Sequence, residues 1–242
     1  MNRNIELQPA YLLHSRPFRD TSLLLDFLTP DFGRLSAISR GARSAKSKTK
    51  SLLQPFTPIQ ISLSGKSELK SLRTVEVRGA SISLKGDRLF SGLYMNEIIV
   101  RLFQSHEADP AFFSAYEDAL QDLVKAELPE PVLRYFELTL LDTLGYGIDF
   151  SAEAQSHEAI DPEQRYYFQE GTGFIKVQPS GVYADDEVST PSIFPGSDLL
   201  SIHARDFSLD ATRKTAKLVI RGILNNHLGN NPLQSRSLFI RR

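Results

Sequence analysis

The sequence predicts an α+β protein in which a small N-terminal β-barrel is followed by a helical domain with a β-rich insertion. Short apolar runs separated by turn residues fill residues 1–82. Beyond Gly86, apolar residues recur every three to four positions, which is the period of an amphipathic helix. That period is lost over residues 151–197, where glycines and aromatic residues are frequent. The predicted domains are therefore a barrel at 1–82, a helical domain at 83–150 and 198–242, and an insertion at 151–197.

Five strands are predicted in the barrel domain. The hairpin between the second and third is marked by Pro30, which presets a turn, and by Gly33, which tolerates positive φ. Five short strands with no helix between them indicate a small barrel or sandwich. Both the strand number and the length of the segment fit the five-stranded OB-fold. The predicted strands cover residues 11–18, 22–28, 34–39, 58–64 and 69–78.

Helices are predicted from the apolar period and from end signals. Asp109 and Pro110 supply a cap and a first-turn proline for the second helix, whereas residues 129–131 should break the chain before the third. Gly145 is positioned to end the third helix. The helices are expected near residues 89–102, 110–128, 132–145, 198–204 and 209–228. Inward-facing positions are Leu133, Phe136, Leu140, Leu144, Leu218, Val219, Ile223 and Leu224, and solvent-facing ones are Arg213, Lys214, Lys217 and Arg221.

The composition is that of a globular protein and excludes several classes of site. Hydrophobic residues make up 41% and charged residues 24% of the chain, and no apolar run is long enough to span a bilayer. The first residues lack the basic start and apolar core of a signal peptide, so we expect a cytoplasmic location. The absence of cysteine removes disulfides, thiolate zinc sites and cysteine nucleophiles. The five histidines have no metal-ligand spacing.

Motifs of catalysis are also missing from the sequence. It contains no Gly-x-Ser-x-Gly, no glycine-rich loop before Lys-Ser/Thr and no His-Glu-x-x-His. The glycines of residues 170–174 fit a hairpin turn better than a phosphate loop. The acids Asp185, Asp186 and Glu187 fit a solvated loop better than a cation site. We expect no enzymatic activity, no catalytic residue, no metal and no cofactor, and a hydrolase with an unrecognised site stays an alternative.

Charge is distributed in blocks along the chain. Net charge is +8 over residues 1–88, −15 over residues 89–204 and +6 over residues 205–242, which gives the overall −1. A basic block attached to an acidic body indicates a surface that binds a polyanion. An ordinary solvated surface with uneven charge is the simpler alternative.

The strongest candidate for such a surface is a cationic loop between the third and fourth predicted strands. Five cations occur within eleven residues that contain no acid, and small polar residues separate them, so the run favours a loop over a helix. Lys and Arg neutralise phosphates whatever the base sequence, so DNA and ribosomal RNA are both compatible with this loop. Tyr11, Phe32 and Phe56 are candidates for stacking on bases, but each fits the core better. The five cations are Arg40, Arg43, Lys46, Lys48 and Lys50.

Over nearly its full length, the sequence resembles the bacterial recombination mediator family RecO. The resemblance rests on the segments LLHSRPFRDTSLLLDFLT, FGRLSAISRGARSAKSK, LLQPFTPIQISLSGKSELKSLRTVE, SGLYMNEII, PEPVLRYFELTLLDTLGYG and PLQSRSLF, in this order. It implies an OB-fold joined to a helical domain. It also implies a nucleoid-associated protein of DNA repair and recombination that binds single- and double-stranded DNA, anneals strands and contacts the C-terminal tail of single-strand binding protein (SSB). With RecR, such a protein helps to load RecA on SSB-coated gapped DNA.

The resemblance also implies roles for particular residues. The family's basic OB loop corresponds to Arg40, Arg43, Lys46, Lys48 and Lys50, and further DNA contacts are expected on neighbouring strands at Arg34, Lys66, Lys70 and Arg73. The SSB tail ends in an apolar residue and a carboxylate, so its receptor needs an apolar pocket with a cation. Arg134 is the first candidate, and Arg101 and Lys125 are weaker ones. A salt bridge of Arg134 with Glu130 or Glu137 is an equal alternative.

One departure from the family concerns zinc. Some members bind zinc through four cysteines in the segment that matches residues 151–183, and this chain has none there. The resemblance therefore predicts a zinc-free insertion that is held together by aromatic packing and backbone pairing. The competing hypothesis for the whole protein is an OB-fold RNA-binding or ribosome-associated protein. The cations of the last helix either extend the DNA surface or balance the acidic core.

Overall fold

The computed structural model describes residues 4–45, 47, 49–103, 107–178, 192–229 and 232–239. Its contacts divide the chain into two compact units, which we call the barrel unit (Met1–Val132 with Asn231–Arg242) and the helix–sheet unit (Leu133–Asn230). The α+β class is confirmed, with a closed five-stranded barrel at the N terminus followed by helices and a small sheet. The predicted domain boundaries near residues 82, 150 and 197 stay predictions.

The N-terminal barrel is an OB-like closed sheet with the strand order β1-β2-β3-β5-β4. Its neighbouring strands are antiparallel, except that β3 and β5 make a short parallel contact at Ala37 and Lys70 that closes the barrel. The predicted strands agree with the observed bounds to within one residue, apart from the start of β1. The strands are β1 (Asn4–Phe18), β2 (Ser22–Thr29), β3 (Gly33–Ser39), β4 (Ile59–Ser64) and β5 (Lys70–Val77).

β1 begins well before its predicted start because residues 4–10 pair with β4. The ladder is irregular around Leu7, whose φ of 49° is a conformation that L-residues seldom adopt. The backbone N–H of Leu7 donates to the hydroxyl of Ser62 at 3.1 Å. This irregularity disturbs the alternation of apolar and polar residues, so the sequence pattern missed the first half of the strand.

Alternate side chains of the five strands fill the barrel interior. Leu53, which is 5% exposed, packs into the same core and anchors the segment between β3 and β4. That segment contains a one-turn helix, α1 (Thr49–Leu52), where only a loop was expected. A buried anchor beside the turn supplies the tertiary contact that a short, polar helix lacks on its own. Core residues with no exposed surface include Leu25, Phe27, Leu35, Ile59 and Ile61.

Two helices follow the strands in the barrel unit, namely α2 (Asp87–Leu102) and α3 (Pro110–Lys125). The Asp109 carboxylate accepts the backbone N–H of Phe112 at 2.8 Å, which confirms the predicted cap of α3. The described part of the unit ends in a 3₁₀ helix, Gln234–Phe239. The backbone N–H groups of Gln234 and Ser235, the first two residues of this 3₁₀ helix, donate to the Glu97 carboxylate of α2 at 2.8 Å each. The C-terminal segment is therefore fixed to α2.

A buried polar relay joins both helices to the barrel. The hydroxyl of Tyr116 donates to Asn96 Oδ1 at 2.6 Å, and Asn96 Nδ2 donates to the backbone oxygen of Leu13 in β1 at 3.1 Å. The ring of Tyr11 packs edge-on against Tyr116 with 5.3 Å between the centroids. Because Tyr116 and Asn96 are nearly inaccessible to solvent, the relay positions α2 and α3 on one face of β1.

The helix–sheet unit contains the predicted β-rich insertion. Its sheet has the order β7-β6-β8 and is formed by β6 (Arg165–Gln169), β7 (Gly173–Lys176) and β8 (Ile193–Pro195). Phe174 is fully buried and contacts the rings of Phe150, Phe168 and Phe194, with centroids 5.2, 5.3 and 6.5 Å away. Aromatic packing and backbone pairing therefore hold this sheet together, as expected.

The remaining helices are α4 (Pro129–Thr143), α5 (Gly196–His203) and α6 (Asp210–Leu228). The prediction that residues 129–131 break the chain is wrong. Both prolines lie in the first turn of α4, where a missing N–H costs no intrahelical hydrogen bond. Gly145 follows the helix with a φ of 77°, as expected of a residue that ends it. Among the described helices, none is long and apolar enough to cross a membrane.

The buried face of α6 differs from the predicted one. Val219 and Ile223 are buried as expected, but Leu218 is 56% exposed. The buried residues recur at intervals of three to four along the helix, and Leu218 falls on the opposite side with Lys214. The inward placement of Leu218 is therefore wrong, because its neighbour in sequence occupies the buried stripe.

Candidate nucleic-acid interface

The predicted cationic loop begins at the end of β3. Arg40 and Arg43 are exposed, and so is Lys50 in α1. Lys46 and Lys48 lie outside the described residues. The three described cations of the loop are therefore accessible to a polyanion.

Hydrogen bonds fix the start of this loop to the barrel. The backbone N–H of Arg43 donates to the oxygen of Thr21 at 2.8 Å, and its guanidinium Nη1 donates to the backbone oxygen of Arg19 at 3.2 Å. Gly41 adopts a φ of 69°, and the N–H of Ser44 donates to the Gly41 oxygen at 3.0 Å. The start of the loop is thus folded against the turn between β1 and β2.

This docking brings in two arginines that the sequence reasoning missed. Arg16 and Arg19 are exposed at the end of β1 and in the turn after it. Pro17 lies opposite Leu23 of β2, and Leu23 lies opposite Ser39 at the end of β3. The β1–β2 turn and the start of the loop therefore share one end of the barrel. We call the cationic surface at this end the arginine patch, and it consists of Arg16, Arg19, Arg40 and Arg43.

Arg19 adopts an unusual conformation within the arginine patch. Its φ is 50°, which costs an L-residue roughly 1–2 kcal/mol. Its guanidinium carbon lies 5.3 Å from the centroid of the Phe18 ring, a cation–π contact that offsets about 0.5–1 kcal/mol at an exposed site. The Phe18 ring and the hydrogen bond from Arg43 together hold the Arg19 backbone and side chain at the edge of the patch.

Two of the predicted DNA contacts are engaged within the fold. Lys70 is only 3% exposed, and its ammonium donates to the backbone oxygen of Gly65 at 3.0 Å. Arg34 pairs with Asp26 at 3.2 Å and donates through Nε to the backbone oxygen of Phe103 at 3.0 Å. The expected surface position of Lys70 is corrected, because this residue begins β5 at the contact that closes the barrel.

The other two predicted contacts on neighbouring strands are exposed. Lys66 lies in the turn between β4 and β5, and Arg73 lies on β5 itself. Because β5 runs parallel to β3 from the contact of Ala37 with Lys70, Arg73 lies toward the barrel end that carries Arg40. The strand register therefore places Arg73 near the arginine patch. Lys66 lies before the first residue of β5, at the opposite end of that strand.

The candidate stacking residues belong to the barrel unit's interior. Tyr11 and Phe56 are 3% and 4% exposed, and Phe32 packs against the barrel core. The Tyr11 hydroxyl donates to the Glu117 carboxylate at 3.0 Å, and burial, followed by this carboxylate, raises the pKa of Tyr11 well above its usual range. The core interpretation of these aromatics is confirmed. The patch therefore offers charge to a nucleic acid without these rings.

The cations expected to bind an acidic tail have different surroundings. In the helix–sheet unit, Arg134 is 7% exposed and its Nη2 donates to the Glu137 carboxylate at 2.8 Å, so the predicted salt bridge within α4 is confirmed. In the barrel unit, Arg101 donates to the backbone oxygen of Pro232 at 3.4 Å, and Lys125 is exposed at the end of α3. Binding of a tail by any of the three stays a prediction.

The cations of α6 do not all face solvent as predicted. Lys214, Lys217 and Arg221 are exposed. The Arg213 side chain is only 13% exposed, and its Nη1 donates to the backbone oxygen of Phe207 at 2.9 Å. The prediction for Arg213 is corrected, since this guanidinium supports the turn that precedes the helix.

Within the described ranges, no three His, Asp or Glu side chains come together to hold a metal ion. The acids Asp185, Asp186 and Glu187 lie outside those ranges. Freedom from zinc and from other cofactors stays a prediction.

Comparison with known proteins identifies relatives over the whole chain. A family model described as "Recombination protein O N terminal" matches residues 1–80, and one described as "Recombination protein O C terminal" matches residues 84–237. A protein named DNA repair protein RecO from Aliivibrio salmonicida (strain LFI1238) is 42% identical over 236 residues, covering 98% of this chain and 96% of the relative. The protein of the same name from Haemophilus influenzae (strain PittGG) is 42% identical over 234 residues, covering 97% and 95%.

Proposed function

Because the chain belongs to the recombination protein O (RecO) family of DNA repair and recombination proteins, we propose that it is a DNA-binding recombination mediator. In this role it binds single- and double-stranded DNA, anneals complementary strands and contacts the C-terminal tail of SSB. Together with RecR it helps to load RecA on SSB-coated gapped DNA. The protein does this without catalysing a reaction, and it acts at the nucleoid, where its DNA is found.

The arginine patch is the observation that supports DNA binding. Four exposed arginines lie at the end of β1, in the turn after it and in the loop after β3, and a hydrogen bond from Arg43 to Arg19 connects the turn to the loop. Guanidinium groups bind phosphate oxygens in a bidentate manner, and each phosphate contact releases counterions irrespective of base sequence. A patch of this kind suits a mediator that must act on any gapped DNA.

Strand annealing follows from the same charge. Two strands repel each other until cations neutralise part of their phosphate charge, and the patch provides such cations on a fixed surface. Residues 89–204 carry a net charge of −15, so most of the remaining chain repels DNA. DNA is thereby directed to the basic end of the barrel, where a second strand can approach the first.

The acidic SSB tail requires a different cation from the patch if DNA and tail bind together. Lys125 is exposed and Arg101 is half-buried, whereas Arg134 is buried beside Glu137 and must leave that pair to bind a new carboxylate. We therefore rank Lys125 and Arg101 ahead of Arg134 as tail contacts. Titration of a labelled tail peptide into Lys125→Ala, Arg101→Ala and Arg134→Lys variants tests this order, and a loss confined to Arg134→Lys contradicts it.

The proposed function is tested with paired oligonucleotides. Anisotropy titrations compare single-stranded DNA with RNA of the same sequence, and a fluorescence-transfer assay follows annealing of SSB-coated complementary strands. We expect DNA to bind at least as tightly as RNA and annealing to accelerate. A clear preference for RNA, with no acceleration of annealing, overturns the proposal in favour of an RNA-binding OB protein.

A further inference from the structure

We propose that a cavity in the helix–sheet unit binds a basic peptide segment of a partner protein. The cavity has a volume of about 510 Å³ and lies between the β6–β7 turn and the last turns of α6. Its volume is within the range of about 300–1,000 Å³ that is common for ligand sites. Among the described residues, its lining combines apolar rings with carboxylates and includes no Lys or Arg.

Backbone contacts form the cavity before any ligand arrives. The N–H of Ala154 donates to the oxygen of Phe174 at 2.8 Å, and the N–H of His157 donates to the oxygen of Glu153 at 2.9 Å. A Cβ atom at Gly173 would lie only 3.1 Å from the Cβ of Ala154, so the hairpin approaches this segment closely. Residues 152–157 are thereby fixed against β7, and binding requires little further ordering of the wall.

The floor of the cavity is apolar. Phe174 is fully buried, and Phe168 and Ile223 line the cavity beside it. At the rim, the rings of Tyr146 and His227 stack with centroids 3.8 Å apart and planes 18° apart. An aliphatic or aromatic side chain placed here removes apolar surface from water on both partners, which favours binding.

Three carboxylates determine the sign of charge in the cavity. Hydrogen bonds from the hydroxyl and N–H of Ser151 lower the pKa of Asp149. Burial raises the pKa of Glu153, but hydrogen bonds that include the Gln155 N–H outweigh burial and lower it overall. The third carboxylate, Glu170, is exposed at the β6–β7 turn. The lowered pKa values keep Asp149 and Glu153 anionic at neutral pH, and the lining contains no Lys or Arg, so the cavity attracts cations.

This chemistry selects among possible ligands. DNA and an acidic peptide are repelled by the carboxylates. A metal ion is disfavoured because Asp149 and Glu153 already accept local hydrogen bonds and the described residues contain no metal-binding cluster. A polyamine has charge but offers no side chain to the apolar floor. A peptide with Lys or Arg next to a leucine satisfies both the carboxylates and the floor.

The test uses a fluorescein-labelled peptide of alternating leucine and lysine, titrated into the full chain at low salt and followed by anisotropy. We expect saturable binding, a loss of about fivefold in affinity for Glu170→Gln, and no change for Glu163→Gln, which removes the same charge from an exposed position outside the cavity. A matched peptide with norleucine in place of lysine should bind more weakly than the basic peptide. Both variants change exposed turn residues, so each should retain the wild-type circular dichroism spectrum.

Several results would overturn the proposal. They are the absence of saturable binding, equal affinity for the norleucine peptide, and equal losses in Glu170→Gln and Glu163→Gln. Spermidine is added as a competitor to test the contribution of the apolar floor. Displacement by spermidine at concentrations equal to those of the unlabelled peptide also contradicts the proposal, because charge alone would then explain binding.

Discussion

The guanidinium of Arg43 donates a hydrogen bond to the backbone oxygen of Arg19 at 3.2 Å, and this contact joins two cationic loops that are 24 residues apart in sequence. A second bond, from the Arg43 N–H to the oxygen of Thr21, fixes the same junction. The arginine patch is therefore a surface of defined geometry at its base. Its affinity for phosphate should depend on both loops.

The first prediction concerns the two arginines at the end of β1 and in the turn after it. Replacing Arg16 and Arg19 by alanine should reduce the slope of log K against log salt for single-stranded DNA by about 1.4, because each lost phosphate contact removes about 0.7. Anisotropy titrations across a salt series measure this slope. The control is Lys85→Ala, which removes an exposed cation elsewhere in the barrel unit and should leave the slope unchanged. A double variant with the wild-type slope would exclude these arginines from the interface.

The second prediction separates a buried cation from an exposed one on the same strand. Lys70→Ala should lower the free energy of unfolding by about 1–3 kcal/mol and leave the salt slope unchanged, because its ammonium bonds to Gly65 inside the fold. Arg73→Ala should reduce the slope by about 0.7 and change stability by less than about 0.5 kcal/mol. Urea unfolding and anisotropy titrations measure the two effects. The reverse result would place Lys70 at the DNA surface.

The third prediction concerns the relay that holds α2 and α3 on the barrel. Tyr116→Phe removes the hydroxyl that donates to Asn96 Oδ1 and leaves a buried acceptor unsatisfied, so it should lower the free energy of unfolding by about 1–3 kcal/mol. Chemical denaturation measures the change. Tyr135→Phe is the matched control, since the Tyr135 side chain is 55% exposed. Equal effects of the two substitutions would show that the relay contributes nothing specific.

The fourth prediction is a pH dependence from Glu153. Its pKa is lowered below the ordinary value of 4.5 in the folded state, because hydrogen bonds from Ser156 and Gln155 outweigh the opposing effect of burial. The stabilisation is therefore complete above about pH 4.5 and is lost as the pH falls through the lower folded pKa. Glu153→Gln should destabilise the protein at pH 7, with a difference from wild type that shrinks toward pH 3. Urea midpoints at several pH values measure this, and a difference that grows on acidification contradicts it.

Local patterns predicted most of the fold. Two-residue alternation located the barrel strands, and the change to a helical period after Gly86 located α2. The misses arise where tertiary contacts override local signals. The Leu7 irregularity disguised the start of β1, and the buried Leu53 supports a turn of helix in a polar segment. Prolines also mislead, since at the start of α4 they are compatible with the helix that they appeared to break.

The candidate site was only partly predictable for a related reason. The cationic loop is evident because its charges are contiguous in sequence. Arg16 and Arg19 become part of the same surface only through strand pairing. The overlooked signal is the hairpin that the first two predicted strands can form, because this pairing places both arginines beside the end of β3. The burial of Lys70 depends on the register of the β3–β5 contact, and a charge count contains no information about register.

The most direct test of the proposed function is the salt dependence of single-stranded DNA binding, compared between the wild type and a variant in which all five loop cations are alanine. Anisotropy titrations from low to moderate salt give the slope of log K for each protein. We predict a steep slope for the wild type and a clearly shallower one for the variant, by up to about 3.5 if every cation contacts a phosphate. A variant slope equal to that of the wild type would contradict the account and move the DNA surface away from the barrel loop. The substituted residues are Arg40, Arg43, Lys46, Lys48 and Lys50.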